Sequence, residues 1–194
     1  MKVNKVFYDT LFDFDSYHEH IINLFDHGKT TGSNQSEAML NYTKLSLARM
    51  RRGLKTFKCN PELLDAATKS NHKNWLVISE AWCGDAGNII PLIAKLAEQT
   101  EGVSLKVMLR DEHPEVMKNY LTNGGSSIPI FIAFDDDFNE VQHWGPRPKP
   151  AQDMVMENKK NATIPHDEFA ILLQKWYQQD KTETLQKELI DYLS

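Results

Sequence analysis

The first third of the chain has apolar residues at the spacing of amphipathic helices. Ser16-Tyr17-His18-Glu19 has the pattern of a capping box, so a first helix is predicted to start there and to end near Gly28. A polar stretch separates it from a second apolar stripe at heptad spacing, which predicts a helix that ends near Gly53. The stripe consists of Leu40, Leu47 and Leu54, widened by Met39, Leu45 and Met50. Asn60-Pro61 then predicts the capped start of a short third helix, because proline is well tolerated at the first helical position.

From Trp75 onward the pattern changes to that of strands alternating with helices. The continuous apolar run 75–78 suits a strand that is covered on both faces. A helical pattern over 89–97 and a second strand over 103–109 follow, at the length that a right-handed parallel crossover needs. His113-Pro114 is predicted to open a further helix that runs through Tyr120 and Leu121 and that Gly124-Gly125 ends.

The remaining segment predicts a hairpin and then helices. A strand over 129–134 begins at a proline, and Asp135-Asp136-Asp137 turns the chain into an antiparallel partner over 138–144. The proline-rich stretch 145–150 ends this hairpin. Two helical patterns follow, and the second, with apolar positions from Phe169 to Tyr177, is predicted to close the chain.

Composition and charge narrow the classes of function. The chain has 194 residues, of which 41% are hydrophobic, and its net charge is -5. This charge argues against nucleic acid as a partner. Since no apolar run approaches the roughly 20 residues of a membrane-spanning helix, we expect a soluble cytoplasmic protein that has no membrane partner.

A basic run interrupts this acidic composition near the end of the second predicted helix. Its residues are Arg49, Arg51, Arg52, Lys55 and Lys58. Cations in the last turn of a helix complement the helix dipole, so we interpret the run as a solvated helix end rather than as an anion site.

Cys83 is the candidate nucleophile. It lies at the start of the predicted helix after the first strand, where the helix dipole and free backbone N–H groups favour a thiolate. Gly84 allows close approach of a backbone, and Trp82 offers an apolar contact to a substrate. Glu80 and Asp85 oppose the effect because neighbouring carboxylates raise the pKa of a thiol, and the sequence does not decide between the two influences.

The segment Trp82-Cys83-Gly84-Asp85-Ala86, together with the order of elements after Trp75, resembles the thioredoxin-like superfamily over about residues 55–180. The resemblance implies a three-layer α/β/α fold with a mixed central sheet. It divides the chain into an N-terminal helical extension, 1–54, and a thioredoxin-like domain, 55–194. Thioredoxins carry Trp-Cys-Gly-Pro-Cys at this point, so Ala86 stands at the position of their second cysteine.

The same resemblance makes Pro129 the family's cis-proline, which lies against the active-site cysteine and helps to hold substrate. It also implies that Ile128 next to it contacts substrate. Two more segments, 121–125 and 144–148, make the chain similar to a group of bacterial thioredoxin-like proteins that share the Trp-Cys-Gly-Asp-Ala motif.

The motif has no cysteine at its second cysteine position, and this limits the reaction, because Ala86 cannot resolve a mixed disulfide. Three routes remain: a low-molecular-weight thiol such as glutathione resolves the adduct, Cys59 resolves it, or no turnover occurs. We favour a buried structural role for Cys59. Val77 stands where many thioredoxins have a buried acid, so Glu80 is a candidate proton acceptor, with a structural role at the end of the strand as the alternative.

Two arginines are further candidates. Arg110 follows a predicted parallel strand, on the edge of the sheet where such folds bind ligands, and Arg147 lies in the loop expected near Pro129. Either side chain suits a substrate carboxylate, and either also suits an ion pair with Asp85, Asp111 or Glu112.

Two hypotheses from different classes follow. In the first, the protein is a monothiol thiol–disulfide oxidoreductase that acts on protein or small-thiol disulfides without a resident cofactor. Its nucleophile is Cys83, and its substrate-binding residues are Trp82, Gly84, Asp85, Ile128, Pro129 and Arg147. In the second, the protein is a redox-inactive binding module that retains the thioredoxin groove.

No metal site is predicted. The histidines of His18-Glu19-His20 do not share a helix face, and the acidic turn 135–140 lacks the glycine of a calcium-binding loop.

Overall fold

The computed structural model describes residues 2–161 and 164–194, and its centre is a mixed sheet of five strands. The strands are β1 (Phe12–Asp13), β2 (Asn74–Ser79), β3 (Ser104–Leu109), β4 (Ile130–Phe134) and β5 (Glu140–Trp144). They lie in the order β1-β3-β2-β4-β5, in which β2 and β3 are parallel and the other neighbours are antiparallel. The predicted three-layer α/β/α fold with a mixed sheet is confirmed.

Helices flank this sheet. Along the described residues they are α1 (Lys5–Asp9), α2 (Phe14–Asp26), α3 (Glu37–Thr56), α4 (Pro61–Lys69), α5 (Gly84–Glu98), α6 (Pro114–Met117), α7 (Lys149–Asn161), α8 (His166–Asp180) and α9 (Glu183–Leu193). None of the helices in this described part of the chain combines the length and the apolar character that crossing a membrane requires.

The strand–helix–strand unit predicted from the sequence is formed by β2, α5 and β3. The apolar run 75–78 lies at the centre of the sheet and is fully buried, as expected for a strand covered on both faces. α5 is also buried over 85–93, because it packs between the sheet and α3. The residues at its N-terminus therefore lie where the sheet, α5 and α3 meet.

Small residues bring α3 close to α5. The buried residues of α3 are Thr43, Ser46, Leu47, Met50 and Gly53. A Cβ on Gly87 of α5 would lie 2.7 Å from the Ser46 carbonyl oxygen, and a Cβ on Gly53 would lie 2.8 Å from Cβ of Pro91. The predicted stripe at heptad spacing is therefore wrong in part. Leu45 is 48% exposed, and small side chains occupy the contact, since only they allow the two backbones to approach so closely.

Two predicted helix boundaries in the N-terminal region are corrected. α2 begins at Phe14, and its cap is Asp13, whose Oδ1 accepts a hydrogen bond from the Ser16 N–H at 2.8 Å. The predicted capping box at Ser16 is therefore wrong, because Asp13 already satisfies that N–H. α3 continues to Thr56 rather than stopping near Gly53. The cap at Asn60 is confirmed, since its Oδ1 accepts from the Leu63 N–H at 2.7 Å.

The helix predicted to run from His113 to Gly124 is much shorter. α6 ends at Met117, and the chain then reverses in a tight turn where Thr122 bridges to Gly125. Asn123 (φ 51°) and Gly124 (φ 78°) both adopt the left-handed conformation in this turn. A helix that continued into these residues would be incompatible with their backbone angles.

The end of the chain contains one more helix than predicted. After α7 and α8, α9 packs on α4 and β5 with Leu185, Leu189 and Leu193 buried. The break between α8 and α9 is made by Lys181 (φ 51°) and Thr182 (φ 72°), both left-handed. Because neither residue is glycine, the sequence carries no ordinary mark of a helix end at this point.

Candidate functional site

Cys83 caps the N-terminus of α5. Its Sγ accepts a hydrogen bond from the Ala86 N–H at 3.4 Å and donates one to the Ile128 carbonyl oxygen at 3.3 Å. The residue is only 6% exposed. The sequence predicted the first of these contacts from the helix start, and the second brings the thiol to the residue before Pro129.

Burial first, and the Asp85 carboxylate second, raise the pKa of the Cys83 thiol to about 12. The Ala86 N–H, the Arg147 guanidinium and the Asp85 N–H act in the opposite direction, because each stabilises the thiolate. The sequence did not decide whether the helix start or the neighbouring carboxylates dominate. In the structure burial and Asp85 outweigh the groups that favour the thiolate, so the thiol is protonated at neutral pH.

Asp85 is held by two partners that come from distant parts of the chain. Its Oδ2 forms an ion pair with Arg147 Nη2 at 2.7 Å, and its Oδ1 accepts a hydrogen bond from the Tyr177 hydroxyl at 2.8 Å. Arg147 also donates to Gln152 Oε1 at 3.0 Å. Both side chains of the ion pair are largely buried. The ion-pair interpretation of Arg147 thus describes the structure.

Trp82 and Arg110 form one side of the site. Arg110 Cζ lies 4.8 Å from the centroid of the Trp82 ring, which is the geometry of a cation–π contact. Arg110 also pairs with Asp111 at 2.8 Å and donates to the Ser126 carbonyl oxygen at 3.1 Å. The guanidinium therefore fixes the indole against the strand end from which Arg110 follows.

The Ile128–Pro129 peptide bond is cis, as the resemblance implies. Pro129 itself is buried, and a Cβ on Gly145 would overlap its carbonyl oxygen. Gly145 has φ 132° and is followed by a second cis bond, to Pro146. This close contact between two loops sets the position from which Arg147 reaches Asp85.

Glu80 lies behind the site at the end of β2 and is completely buried. Its Oε1 accepts a hydrogen bond from the Asp111 N–H at 2.8 Å, so it joins the end of β2 to the turn after β3. Burial raises the pKa of its carboxyl group. Its Oε2 has no hydrogen-bond partner among the residues that the structure describes. Val77 is buried in the sheet between Val107 and Phe131.

A cleft of about 1330 Å³ opens over these residues. Six of the predicted site residues line it: Trp82, Cys83, Gly84, Asp85, Ile128 and Arg147. Pro129 and Glu80 do not line it. α3, α7 and α8 all contribute to its lining, and Tyr42 of α3 contacts His166 and Asp167 at the start of α8. Helices from both ends of the chain therefore shape the approach to Cys83.

Three residues of the site were missed by the sequence interpretation. Tyr177 holds Asp85, and the Ser46 hydroxyl donates to the Cys83 carbonyl oxygen at 3.0 Å. Arg49 was assigned to a solvated helix end, but it lies in the cleft against Gly84. The other four members of the basic run are exposed, as predicted. A sequence indication did exist, since Arg49 lies one turn after Ser46 on the face of α3 that carries the small residues.

Cys59 lies far from Cys83. It is half-buried before α4, and its Sγ is 3.9 Å from Gln99 Nε2, at the C-terminal end of α5. Cys83 caps the other end of this helix of 15 residues, which is about 22 Å long at 1.5 Å per residue. A disulfide requires Cα atoms within about 7 Å, so Cys59 is out of reach of a Cys83 adduct.

The described residues contain no group of three or more His, Cys, Asp and Glu side chains that could hold a metal ion. The histidines near the N-terminus have aromatic partners instead. His18 stacks on Phe14 and His20 stacks on Phe12.

Comparisons with known proteins agree with this architecture. A family model described as Thioredoxin matches residues 32–163. PA1234 of Pseudomonas aeruginosa, a protein of unknown function, has a TM-score of 0.60 at 15% identity, over 97% of this chain and 96% of that chain. An HIV epitope scaffold has a TM-score of 0.58 at 15% identity, over 95% of this chain and 93% of that chain. No curated protein matches the sequence. At such low identity the two structures show a shared fold and nothing more.

Proposed function

Because this chain belongs to the thioredoxin family, we propose that it is a monothiol thiol–disulfide oxidoreductase with Cys83 as its nucleophile. The observation that carries the proposal is the contact of the Cys83 sulfur with the Ala86 N–H at the start of α5, in the wall of a large cleft. The narrower assignment, to the bacterial group that shares the Trp-Cys-Gly-Asp-Ala motif, is proposed on residues 82–86 of the sequence. A reducing, cytoplasmic setting suits this role.

The proposed reaction is an exchange of sulfur partners. The Cys83 thiolate attacks one sulfur of a protein or small-molecule disulfide, forms a mixed disulfide with it, and releases the other sulfur as a thiolate. The thiolate of a small thiol, such as glutathione, then attacks the mixed disulfide, regenerates the Cys83 thiolate and leaves as part of a new disulfide. An external thiol is required because Ala86 has no sulfur and Cys59 lies at the far end of α5.

More groups act to lower the pKa of Cys83 than that of Cys59, although the pKa is raised to about 12 at Cys83 and to about 11 at Cys59. Two backbone N–H groups and the Arg147 guanidinium lower the Cys83 pKa, whereas Lys95 alone does so for Cys59. Burial outweighs these groups at both sulfurs. Glu80 is the proposed acceptor of the proton that the Cys83 thiol loses, since its Oε2 has no hydrogen-bond partner in the described part of the chain.

The proposed substrate contacts surround the sulfur. Trp82 supplies an apolar surface, Gly84 lets a backbone approach, and Asp85 and Arg147 supply charges. Ile128 forms the opposite side, where its carbonyl oxygen already accepts a hydrogen bond from the thiol, and the buried Pro129 holds Ile128 in this position through the cis bond.

A second candidate is a binding module that holds a partner in the same cleft without sulfur chemistry. The observation that favours it is the buried, protonated state of Cys83, whose pKa is raised to about 12. Such a thiol reacts slowly unless a partner changes its surroundings.

Adduct mapping separates the two functions. Wild type, Cys59→Ser and Cys83→Ser are each incubated with a small disulfide at pH 8, and mixed disulfides are located by peptide mass spectrometry. We expect an adduct that forms faster on Cys83 than on Cys59 and that a small thiol then removes. Equal slow labelling of both residues would reject the exchange reaction and leave the binding module as the function.

A further inference from the structure

Arg49 is a cation of the cleft that the proposed exchange reaction does not use. It lies on α3, one turn after Ser46, whose hydroxyl holds the Cys83 carbonyl. A Cβ on Gly84 would overlap Arg49 Nη1, so the guanidinium rests directly against the residue that follows Cys83. The charge is therefore next to the proposed nucleophile.

Arg49 differs from the other two arginines of the site in its partners. Arg147 pairs with Asp85 at 2.7 Å, and Arg110 pairs with Asp111 at 2.8 Å. Within 2–161 and 164–194, Arg49 has no carboxylate within 4.0 Å of its guanidinium. Burial lowers the pKa of Arg49 from the usual value, and the negative charge of Asp85, which pairs with Arg147, is the first of the influences that oppose this. The Arg49 N–H groups donate no hydrogen bond to any other residue of the described ranges, so they are available to a ligand.

The charge of the cleft is opposite to that of the whole chain. Arg49, Arg110, Lys118, Arg147 and Lys159 line it against two carboxylates, Asp85 and Asp111. The chain as a whole carries a net charge of -5. A cationic cleft in an acidic protein concentrates anionic ligands and repels cationic ones.

We infer that the site selects disulfides that carry a carboxylate a few bonds from the sulfur, and that Arg49 binds this carboxylate while the sulfur meets Cys83. The inference rests on the proposed exchange for its chemistry, whereas carboxylate binding itself needs no reaction. Since the planar guanidinium presents paired N–H donors, it matches the two oxygens of a carboxylate. The attacked sulfur stays on the half that Arg49 holds, and the other half leaves as a thiolate.

Three disulfides of matched length test the selection. Dithiodipropionate, bis(hydroxyethyl) disulfide and cystamine share the same two-carbon arms and end in anionic, neutral and cationic groups. The rate at which each forms an adduct on Cys83 is measured by intact mass in a Cys59→Ser background and divided by its rate with a free cysteine peptide. We expect the anionic disulfide to exceed the neutral one by about tenfold, the effect of one charge-assisted pair.

Arg49→Gln should lower the ratio of the anionic to the neutral rate about tenfold, and Arg49→Lys should retain part of this ratio. Arg51→Gln is the matched control, because Arg51 is exposed on the same helix and does not line the cleft. A preference that is absent in the parent protein, or unchanged in Arg49→Gln, overturns the inference and leaves the exchange reaction intact.

Binding without reaction separates this inference from the function on which it rests. A Cys59→Ser/Cys83→Ser protein is titrated with dithiodipropionate and with bis(hydroxyethyl) disulfide by calorimetry. If the anionic compound binds and Arg49→Gln weakens this binding about tenfold, the carboxylate site is supported, even if no disulfide reacts with the parent. Equal binding of both compounds, or binding that ignores Arg49, refutes it.

Discussion

At the scale of single residues, the reactivity of Cys83 depends on a competition between burial and local charge. The thiol is 6% exposed and has a pKa of about 12. Asp85 is the second cause of this high pKa, and it also neutralises Arg147, which would otherwise favour the thiolate more strongly. One side chain therefore suppresses the thiolate in two ways.

The first prediction concerns the charge of Asp85. Asp85→Asn should lower the Cys83 pKa, because it removes a negative charge beside the sulfur and frees Arg147. Below the pKa the thiolate fraction rises tenfold for each unit by which the pKa falls, so alkylation at pH 8 should accelerate by about tenfold or more. The measurement is the rate of iodoacetamide labelling in a Cys59→Ser background between pH 7 and pH 10.

Asp111→Asn is the control for this change, since Asp111 is also a carboxylate of the cleft but pairs with Arg110. Its labelling rate should match the parent. In the parent, the rate should keep rising with pH without a plateau in this range. A plateau below pH 9 in the parent would show that its thiol pKa is not raised. Slower labelling of Asp85→Asn than of the parent would show that the charge of Asp85 does not control the thiol.

Residues that act through a short motif were predictable, and residues that act through packing were not. Cys83 follows from a few adjacent letters and the order of strands, and cis-Pro129 follows from the family resemblance that these letters support. Arg49 lies 34 positions before Cys83 in the sequence, and its place depends on how closely α3 approaches α5. That distance depends on Ser46 and Gly87, whose joint effect becomes visible only when both helices are in position.

At the scale of elements, the contact between α3 and α5 holds the N-terminus of α5 in the cleft. Gly87 faces the backbone of Ser46 in this contact. Gly87→Ala should destabilise the protein by about 1–3 kcal/mol, because the new methyl group would lie 2.7 Å from a carbonyl oxygen that cannot rotate away. This loss would oppose the gain of about 1 kcal/mol that alanine normally brings to a helix.

Urea unfolding measures the Gly87→Ala effect. Ala94→Gly, at a partly exposed position of the same helix, is its counterpart and should report helix propensity alone. If Gly87→Ala proved as stable as the parent or more stable, the helices would not be in the close contact described.

The loop after β5 makes a second element-scale prediction. Gly145 has φ 132° and faces the Pro129 carbonyl oxygen, so alanine there combines backbone strain with overlap. We expect Gly145→Ala to lower the free energy of unfolding by about 1–3 kcal/mol. Gly102→Ala is the matched control, because Gly102 has φ 78° but no atom within 4 Å of its would-be Cβ.

The difference between the two glycine variants isolates the contact with Pro129. Both should lose stability from the positive φ, and only Gly145→Ala should lose more from overlap. Equal losses in thermal or urea unfolding would mean that the loop does not press on Pro129.

Element boundaries were harder to predict than element types. The alternation of strands and helices after Trp75 was correct because buried strands and amphipathic helices leave distinct patterns. α6 was overextended, and the separation of α8 from α9 was overlooked. Lys181 and Thr182 adopt left-handed backbone angles at residue types that do not mark a helix end, whereas Asn123 lies in a local turn at Asn-Gly, a recognisable signal that the chain reverses there.

At the scale of the whole molecule, the N-terminal helices and the sheet share one core. Tyr17, Ile21 and Met50 are fully buried within it, and the Tyr8 hydroxyl donates to the Trp75 carbonyl oxygen at 2.9 Å. The boundary at residue 54 was drawn from the extent of a resemblance and stays a prediction. The packing argues for joint folding on both sides of it.

The last prediction is a single cooperative unfolding transition. Urea curves followed by far-UV circular dichroism and by tryptophan fluorescence should coincide, because unfolding 1–54 would expose the face of α5 that α3 covers. If the circular dichroism signal of the helices were lost at a lower urea concentration than the fluorescence signal, the N-terminal helices would unfold on their own.

The separation of the two sulfurs along α5 also determines how oxidation can be recorded. Because a folded chain cannot join Cys59 to Cys83, an intramolecular disulfide cannot make the folded monomer two hydrogens lighter. Oxidation of either cysteine to a sulfenic acid or to a mixed disulfide instead adds mass, as oxygen or as the partner that becomes attached. The intact mass of the protein isolated from cells therefore shows which oxidation products it carries, and the mass of each adduct identifies the molecule that reacted.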